Sequence, residues 1–122
     1  MPKLLIVDDE TDILEFAANF FRKRKVEVFT APNGEQAVSM AHSHKPNLVL
    51  MDIGMSGIDG IETLKRMKEM DCNTKVIMVT GREPQEDASF NKCMELGAMG
   101  YIHKPLELDE LEKVVLKELM KI

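Results

Sequence analysis

Cysteine and long apolar stretches are both scarce in this chain of 122 residues. Its two cysteines, Cys72 and Cys93, have neither the number nor the spacing of a disulfide framework or a zinc site, so we expect reduced thiols. No apolar run approaches the length that spans a bilayer, and the start, MPKLLIVDDE, lacks the apolar stretch and cleavage site of a signal peptide. We therefore expect a cytoplasmic protein with no membrane association.

Basic charge is also in deficit, because 16 Lys and Arg face 21 Asp and Glu and give a formal net charge of -5. Nucleic acid binding needs clustered cations that neutralise phosphates. Four cations do adjoin at residues 22–25, but they fall at the end of a predicted helix, where the helix dipole favours positive charge. We expect no direct nucleic acid binding, so that any control of transcription would act through a partner.

Short apolar runs alternate with amphipathic segments along the whole chain, and the composition, 44% hydrophobic and 30% charged, is ordinary for a globular protein. Most of the runs are β-branched or continuously apolar, as in strands that are buried on both faces. This pattern predicts an α/β protein with a parallel sheet covered by helices on both faces. The predicted strands are Leu4–Val7, Val26–Thr30, Leu48–Met51, Val76–Thr80 and Gly100–His103.

Five helices are predicted between and after these strands. The first runs from about Thr11 to Arg24, and its apolar stripe of Ile13, Phe16, Ala17, Phe20 and Phe21 is expected to be core. The second follows the N-cap Asn33, the third follows Asp59, and the fourth begins near Pro84 or Gln85 and ends before Gly97 at the C′ position. The last helix carries Leu108, Leu111, Val115, Leu119 and Ile122 on one face. We expect a single domain over residues 1–122, with no second domain after this helix.

Polar residues gather where these strands end. Asp8 and Asp9 follow the first strand, Asp52 ends the third, Thr80 ends the fourth and Lys104 follows the fifth. Each alone is usually a turn residue or a solvated charge, but ligands of a doubly wound sheet bind at this edge. Carboxylates about 4 Å apart repel by about 4 kcal/mol at an effective dielectric near 20, so the cluster needs a compensating cation. Few, carboxylate-rich ligands suit Mg²⁺, which also pairs with phosphate oxygens.

Four blocks in this order resemble the bacterial two-component response regulator receiver domain: LLIVDDE, LVLMDIGMSGIDG, VIMVTG and GYIHKPL. The resemblance covers the whole chain. It implies a doubly wound (βα)5 flavodoxin-like fold with a five-stranded parallel sheet of order 2-1-3-4-5. It also implies a phosphoryl-accepting switch in a two-component phosphorelay. Such a domain is not an enzyme acting on other molecules, because it catalyses only its own phosphorylation and dephosphorylation.

The resemblance also assigns roles to the acidic residues. Asp52 would be the nucleophile that takes the phosphoryl group from the phosphohistidine of a sensor histidine kinase or from a small acyl phosphate. Mg²⁺ would be held by Asp52, by Asp9 directly, by Asp8 largely through water, and by the carbonyl of Gly54.

The remaining roles concern the switch. Lys104 and Thr80 would each contact a phosphoryl oxygen, and Tyr101 would fill the space left when Thr80 moves toward the phosphoryl group. The output face would then be the fourth helix, fifth strand and fifth helix, and it would bind an output partner protein or an effector domain. The chain would be a monomer or a phosphorylation-dependent dimer.

One position departs from the family pattern, and two others bear on how long the phosphorylated state lasts. Ser56 follows Met55 where the family often has proline, and Gly54 and Arg82 occupy positions that influence the access of water. The resemblance therefore does not fix the lifetime of the phosphorylated state. It does imply a cis peptide bond between Lys104 and Pro105.

Three other classes of protein remain as alternatives. A receiver-like module that only docks a partner would keep the fold without phosphorylation. A Mg²⁺-dependent phosphohydrolase would need a general acid near the nucleophile, where this chain has Gly54. A flavodoxin-type electron carrier would need a loop rich in Ser, Thr and Gly after the first strand, but the acids at residues 8–10 would repel a flavin phosphate.

Overall fold

The computed structural model describes residues 2–54, 59–70, 73–80, 89–103 and 108–120. It contains a five-stranded parallel sheet of order β2-β1-β3-β4-β5, which confirms the expected strand order. The elements in chain order are β1 Lys3–Val7, α1 Thr11–Arg22, β2 Glu27–Ala31, α2 Gly34–His44, β3 Leu48–Asp52, α3 Gly60–Met70, β4 Val76–Thr80, α4 Ser89–Glu95, β5 Gly100–His103 and α5 Leu108–Leu119.

The strand predictions are correct to within one residue at either end. The one displaced strand is β2, which was expected to begin at Val26 and begins at Glu27. Val26 is buried, but its N–H donates to the carbonyl of Phe21 and so belongs to the turn after α1. In that turn Lys25 has a positive φ of 63°. Val26 was therefore predicted as a strand residue because it is apolar and β-branched, although it lies in a turn.

Helices cover both faces of the sheet, as predicted. Alternate strand residues point to opposite faces, so each strand supplies two apolar clusters. In β1, for example, Leu5 and Val7 lie in the cluster beneath α2, α3 and α4, whereas Leu4 and Ile6 lie in the cluster beneath α1 and α5. The sheet is therefore the middle of three layers, and polar groups that must meet ligands are left to its edges.

The predicted core stripe of α1 is partly wrong. Phe16 is 62% exposed, whereas the buried residues of the helix are Leu14, Ala17, Ala18 and Phe21. Leu14, Ala18 and Phe21 recur at positions i, i+4 and i+7, which sets the buried face one residue away from the predicted one. Ala17 and Phe21 of the predicted stripe are buried as expected, so the error is confined to part of the stripe. The helix also ends at Arg22, two residues before the predicted end.

Two basic residues at the end of α1 have structural partners. The guanidinium of Arg22 donates to the carbonyl of Val28 at 3.1 Å. That of Arg24 lies 3.6 Å from the centroid of the Phe20 ring and 3.3 Å from a carboxylate oxygen of Glu112 on α5. These contacts support the interpretation of this basic run as a helix terminus.

The predicted helix caps are confirmed where the structure describes them. Asn33 Oδ1 accepts a hydrogen bond from the N–H of Gln36 at 2.8 Å, and Asp59 Oδ1 accepts one from the N–H of Glu62 at 2.9 Å. Gly97, with a φ of +99°, follows α4 in the left-handed conformation expected at C′. The predicted start of α4 at Pro84 or Gln85 lies outside the described residues.

The apolar face predicted for α5 is confirmed at Leu111, Val115 and Leu119, which are buried. Within the part of the chain that the structure describes, no helix has the length and apolar character needed to cross a membrane. Cys93 is buried and makes no disulfide, as expected, whereas Cys72 lies outside the described residues.

Candidate functional site

The register of the sheet brings three strand ends level at one edge. Val7 of β1 pairs with Met51 of β3, so the next residues, Asp8 after β1 and Asp52 at the end of β3, lie side by side. On the other flank of β3, Asp52 pairs with Val79 of β4, directly before Thr80. In the strand order β2-β1-β3-β4-β5 the chain reverses its direction of winding between β2 and β3. This reversal leaves a crevice beyond the carboxyl ends of β1 and β3.

Asp8, Asp9 and Asp52 form a carboxylate cluster in this crevice. Each offers one oxygen, and these oxygens all lie within 4.8 Å of one another. Asp8 and Asp52 are buried, with exposed fractions of 4% and 5%, whereas Asp9 is exposed. The cluster therefore has a buried base and one side that is open to solvent.

Backbone donors orient the two buried carboxylates. Asp8 Oδ1 accepts a hydrogen bond from the N–H of Glu10 at 2.9 Å, and Asp52 Oδ1 accepts one from the N–H of Gly54 at 3.3 Å. Hydrogen bonds of this kind fix the orientation of a carboxylate. Both acids are therefore held as acceptors that can bind a cation.

Three carboxylates at this spacing repel one another, so positive charge beside them stabilises the cluster. Two unit charges separated by about 4.8 Å repel by about 3 to 4 kcal/mol at an effective dielectric near 20. Three carboxylate oxygens at this spacing match the hard oxygen ligands of Mg²⁺, Ca²⁺ or Mn²⁺ and include no nitrogen or sulfur ligand for a softer metal. The residues of the cluster thus fit a divalent cation.

Thr80 and Tyr101 lie on one face of the sheet, on neighbouring strands. Thr80 is buried and shares its strand parity with Met78, which lies in the cluster beneath α2, α3 and α4. Met78 pairs with Tyr101 of β5, and half-buried Tyr101 packs against the same apolar cluster. The two residues are therefore displaced from each other by one strand and two positions, on the face that α4 covers.

Several predicted residues cannot be placed. Lys104 and Pro105, with the predicted cis bond between them, lie outside the described residues, as do Met55, Ser56 and Arg82. The charge partner predicted for the cluster thus stays a prediction, and so do the roles given to the other site residues.

Sequence reasoning missed Gly60, the first residue of α3. A Cβ atom added to Gly60 would lie 2.3 Å from the backbone carbonyl oxygen of Asp52. The available signal was a glycine inside the first turn of a predicted helix, where most other residues form helix better. The atom that Gly60 approaches belongs to β3 and not to the helix, so the residue pattern of the helix could not reveal the contact.

Comparison with known proteins agrees with this geometry. The family described as response regulator receiver domain matches residues 4–116. That range holds four whole strands, all of β1 except Lys3, and most of the last helix. The chain belongs to the response regulator receiver domain family, the phosphoacceptor switches of two-component signalling.

Particular relatives differ in length. The chain is 40% identical over 117 residues to sporulation initiation phosphotransferase F of Bacillus subtilis, and the match covers 96% of this chain and 93% of that protein. It is 36% identical to regulatory protein AtoC of Escherichia coli over 96% of this chain but only 25% of that protein. A putative transcriptional regulator of Pseudomonas aeruginosa is 38% identical, over 91% of this chain and 53% of the relative.

Solved structures show the same fold. A CheY-like receiver domain protein from Methanospirillum hungatei is 28% identical with a TM-score of 0.91 and covers 99% of this chain and 95% of that chain. Response regulator TrrA from Thermotoga maritima, solved in complex with Mg(2+)-BeF, is 32% identical with a TM-score of 0.83, over 98% of this chain and 100% of that chain.

Proposed function

We propose that Asp52 is the phosphoryl acceptor of this receiver domain and that it takes its phosphoryl group from the phosphohistidine of a sensor histidine kinase. The observation that carries the proposal is the cluster of Asp8, Asp9 and Asp52 at the carboxyl edge of the sheet. Asp52 is the member that ends a central strand, with β1 on one side and β4 on the other. A nucleophile held there has little freedom to move.

The reaction requires one oxygen of Asp52 to attack phosphorus. The bond from phosphorus to the donor nitrogen breaks, its electron pair leaves with the imidazole, and an aspartyl phosphate forms. A carboxylate nucleophile has no proton to lose in this step, so the step needs no general base. The contribution of the chain is to orient Asp52, through the N–H of Gly54, and to neutralise charge, as phosphoryl transfer generally requires.

We assign the cation site to Mg²⁺, with Asp8, Asp9, Asp52 and the carbonyl of Gly54 as the groups of the chain that would hold it. The TrrA structure, which contains Mg(2+)-BeF, supports this choice of metal. Bound Mg²⁺ would neutralise the carboxylates and the incoming phosphoryl oxygens together. Because Asp9 is the exposed member of the cluster, the cation and the donor would both enter from its side.

Thr80 and Lys104 complete the proposed site. Thr80 ends β4 next to Asp52, so its hydroxyl is suited to donate to a phosphoryl oxygen. Lys104 directly follows β5, whose last residue, His103, pairs with Thr80. An ammonium at that edge would bind a second phosphoryl oxygen and offset the charge of the acids.

The switch is proposed to run from Thr80 to Tyr101. The two share the face covered by α4, so movement of Thr80 toward a phosphoryl group would leave room on that face for the Tyr101 ring. The surface formed by α4, β5 and α5 would then bind an output partner protein or an effector domain. The chain contains one tyrosine and no tryptophan, so its tyrosine emission reports Tyr101 alone.

This part of the proposal can be tested by that emission. Acetyl phosphate with Mg²⁺ is expected to change the tyrosine emission of the native protein and of a Thr80→Ala variant to different extents, with most of the change lost in the variant. An identical change in both proteins would show that Tyr101 does not respond through Thr80.

The proposed activity is confined to the domain's own phosphorylation and dephosphorylation, so the chain is not proposed to act on a separate substrate. We propose that residues 1–122 form one such domain, since the family match spans nearly all of them. The cytoplasmic location, the lack of direct nucleic acid binding and a monomer or phosphorylation-dependent dimer remain predictions of the sequence.

Incubation with acetyl phosphate, followed by intact mass and peptide mapping, tests the acceptor. The native protein in Mg²⁺ is expected to gain one phosphoryl group on the peptide that contains Asp52, and to gain none in excess chelator. Asp52→Asn is the matched control, because it removes the nucleophile and one repelling charge while keeping the side-chain shape. Labelling of this variant at the native rate would show another acceptor, and an unlabelled native protein would favour a module that only docks a partner.

A further inference from the structure

Gly60 begins α3 at a point where that helix touches the end of β3. Its N–H donates to the carbonyl of Ile53 at 3.0 Å, and the residue is buried. The turn is fixed further by Asp59, whose carbonyl oxygen accepts a hydrogen bond at 2.8 Å from the hydroxyl of fully buried Thr63. The start of α3 is therefore held firmly against the residue that follows Asp52.

No side chain fits between α3 and this strand end. A Cβ atom on Gly60 would lie 2.3 Å from the carbonyl oxygen of Asp52 and 2.7 Å from the Cα of Ile53, both closer than real Cβ atoms approach other atoms. Both neighbours are backbone atoms, which cannot turn away as a side chain can. Any other residue at this position must therefore move either the helix or the end of β3.

The other side of the same peptide is fixed by the sheet. The N–H of Ile53 donates to the carbonyl of Val79 in β4 at 2.9 Å. The peptide that joins Asp52 to Ile53 is thus held by β4 through its nitrogen and confined by Gly60 at its carbonyl. A displacement of α3 at this point would be transmitted to the Cα of Asp52 and hence to its carboxylate.

We infer that Gly60 is a positioning residue for the phosphoryl acceptor. Its missing side chain lets the first turn of α3 rest on the peptide of Asp52, and this contact holds the Asp52 carboxylate at its spacing from Asp8 and Asp9. The inference rests on the proposed function, because its consequence is the placement of the acceptor. A misplacement of about 1 Å can lower a rate about a hundredfold.

Gly60→Ala tests the inference, with Gly100→Ala as a matched control. Gly100 lies in β5, where, among the residues that the structure describes, an added Cβ would meet only the side chain of Ile77, at an ordinary contact distance of 3.5 Å. The metal-free Tm is measured first for each variant. The Kd for Mg²⁺, by calorimetry, and the initial rate of phosphoryl incorporation from acetyl phosphate are then measured below the unfolding transition.

Gly60→Ala is expected to weaken Mg²⁺ binding by about tenfold or more, as changes behind metal ligands commonly do. It should slow phosphoryl incorporation by about a hundredfold. Gly100→Ala should change neither. A lower Tm for Gly60→Ala with native Kd and native rate would overturn the inference, because the glycine would then serve folding alone.

A milder variant decides the question if Gly60→Ala does not fold. Thr63→Val keeps the side-chain shape and removes the hydrogen bond to Asp59, so it loosens the start of α3 without adding an atom near Asp52. It should weaken Mg²⁺ binding in the same direction by a smaller factor, and an unchanged Kd would overturn the inference. A native protein that neither binds Mg²⁺ nor accepts phosphoryl groups would overturn the proposed function and the inference with it.

Discussion

The two edges of the parallel sheet differ in the charge of the polar groups that they gather. At the amino edge donors meet acceptors: the N–H of Lys3 donates to Asn47 Oδ1 at 2.7 Å, the N–H of Asn47 returns a bond to the Lys3 carbonyl at 2.8 Å, and the Lys3 ammonium donates to the His44 carbonyl at 3.2 Å. At the carboxyl edge, Asp8 and Asp52 are buried beside each other and beside Asp9.

The difference separates stability from function within one sheet. Each hydrogen bond at the amino edge contributes about 1 kcal/mol net to stability. The like charges at the carboxyl edge repel one another, and in the proposed function a bound cation relieves that repulsion. The two edges therefore differ in role: the hydrogen bonds of the amino edge stabilise the fold, and the carboxylates of the carboxyl edge are suited to bind a cation.

Removing one charge from the carboxyl edge should have the largest effect. Asp9→Ala is expected to abolish most of the Mg²⁺ response and to slow phosphoryl incorporation strongly, because the open side of the cluster loses its carboxylate. Its metal-free stability should rise by roughly 1 kcal/mol or less, since Asp9 is exposed and water screens the repulsion. Thermal melts with and without Mg²⁺ measure both effects.

Glu15→Ala is the control for that variant, because it removes the same charge from an exposed position on α1 outside the cluster. It should respond to Mg²⁺ as the native protein does. Equal Mg²⁺ responses of Asp9→Ala and Glu15→Ala would contradict the assignment of the cluster.

A change at the amino edge should have a smaller effect, and it should lower stability where Asp9→Ala raises it. Asn47→Ala removes the acceptor of the Lys3 N–H and should lower the free energy of unfolding by about 1 kcal/mol. The Mg²⁺ response should be unchanged. Asn47→Asp keeps an acceptor oxygen at the same place and should lose less stability, as chemical denaturation can show. A loss of Mg²⁺ response in Asn47→Ala would mean that the two edges are not independent.

Sequence pattern was sufficient for the sheet and for the cluster because both depend on local rules. Apolar runs define the strands, and the carboxyl ends of parallel strands share an edge. The proximity of Asp8, Asp9 and Asp52 could therefore be predicted from the sequence. The strand order came from the family resemblance, since alternation of strands and helices does not by itself set the order.

The failures concern packing between elements. Phe16 was expected in the core because it falls on an apolar stripe at helical spacing, but the buried face of α1 is formed by Leu14, Ala17, Ala18 and Phe21, and Phe16 is exposed. Gly60 was passed over because its importance lies in a backbone contact with Asp52 across the start of α3. Neither the rotation of α1 against the sheet nor the contact of Gly60 with Asp52 is encoded by the spacing of residues within one element.

A thermal melt of the native protein in Mg²⁺ tests the central claim most directly. The three carboxylates meet only in the folded chain, so Mg²⁺ at about one hundred times its Kd should stabilise the native state by about 2.7 kcal/mol. At very roughly 4 °C per kcal/mol, Tm should rise by about 10 °C, and Na⁺ at matched ionic strength should not reproduce the rise. A Tm that is unchanged by millimolar Mg²⁺, or that Na⁺ raises equally, would contradict the assignment of the carboxyl edge as a cation-dependent acceptor site.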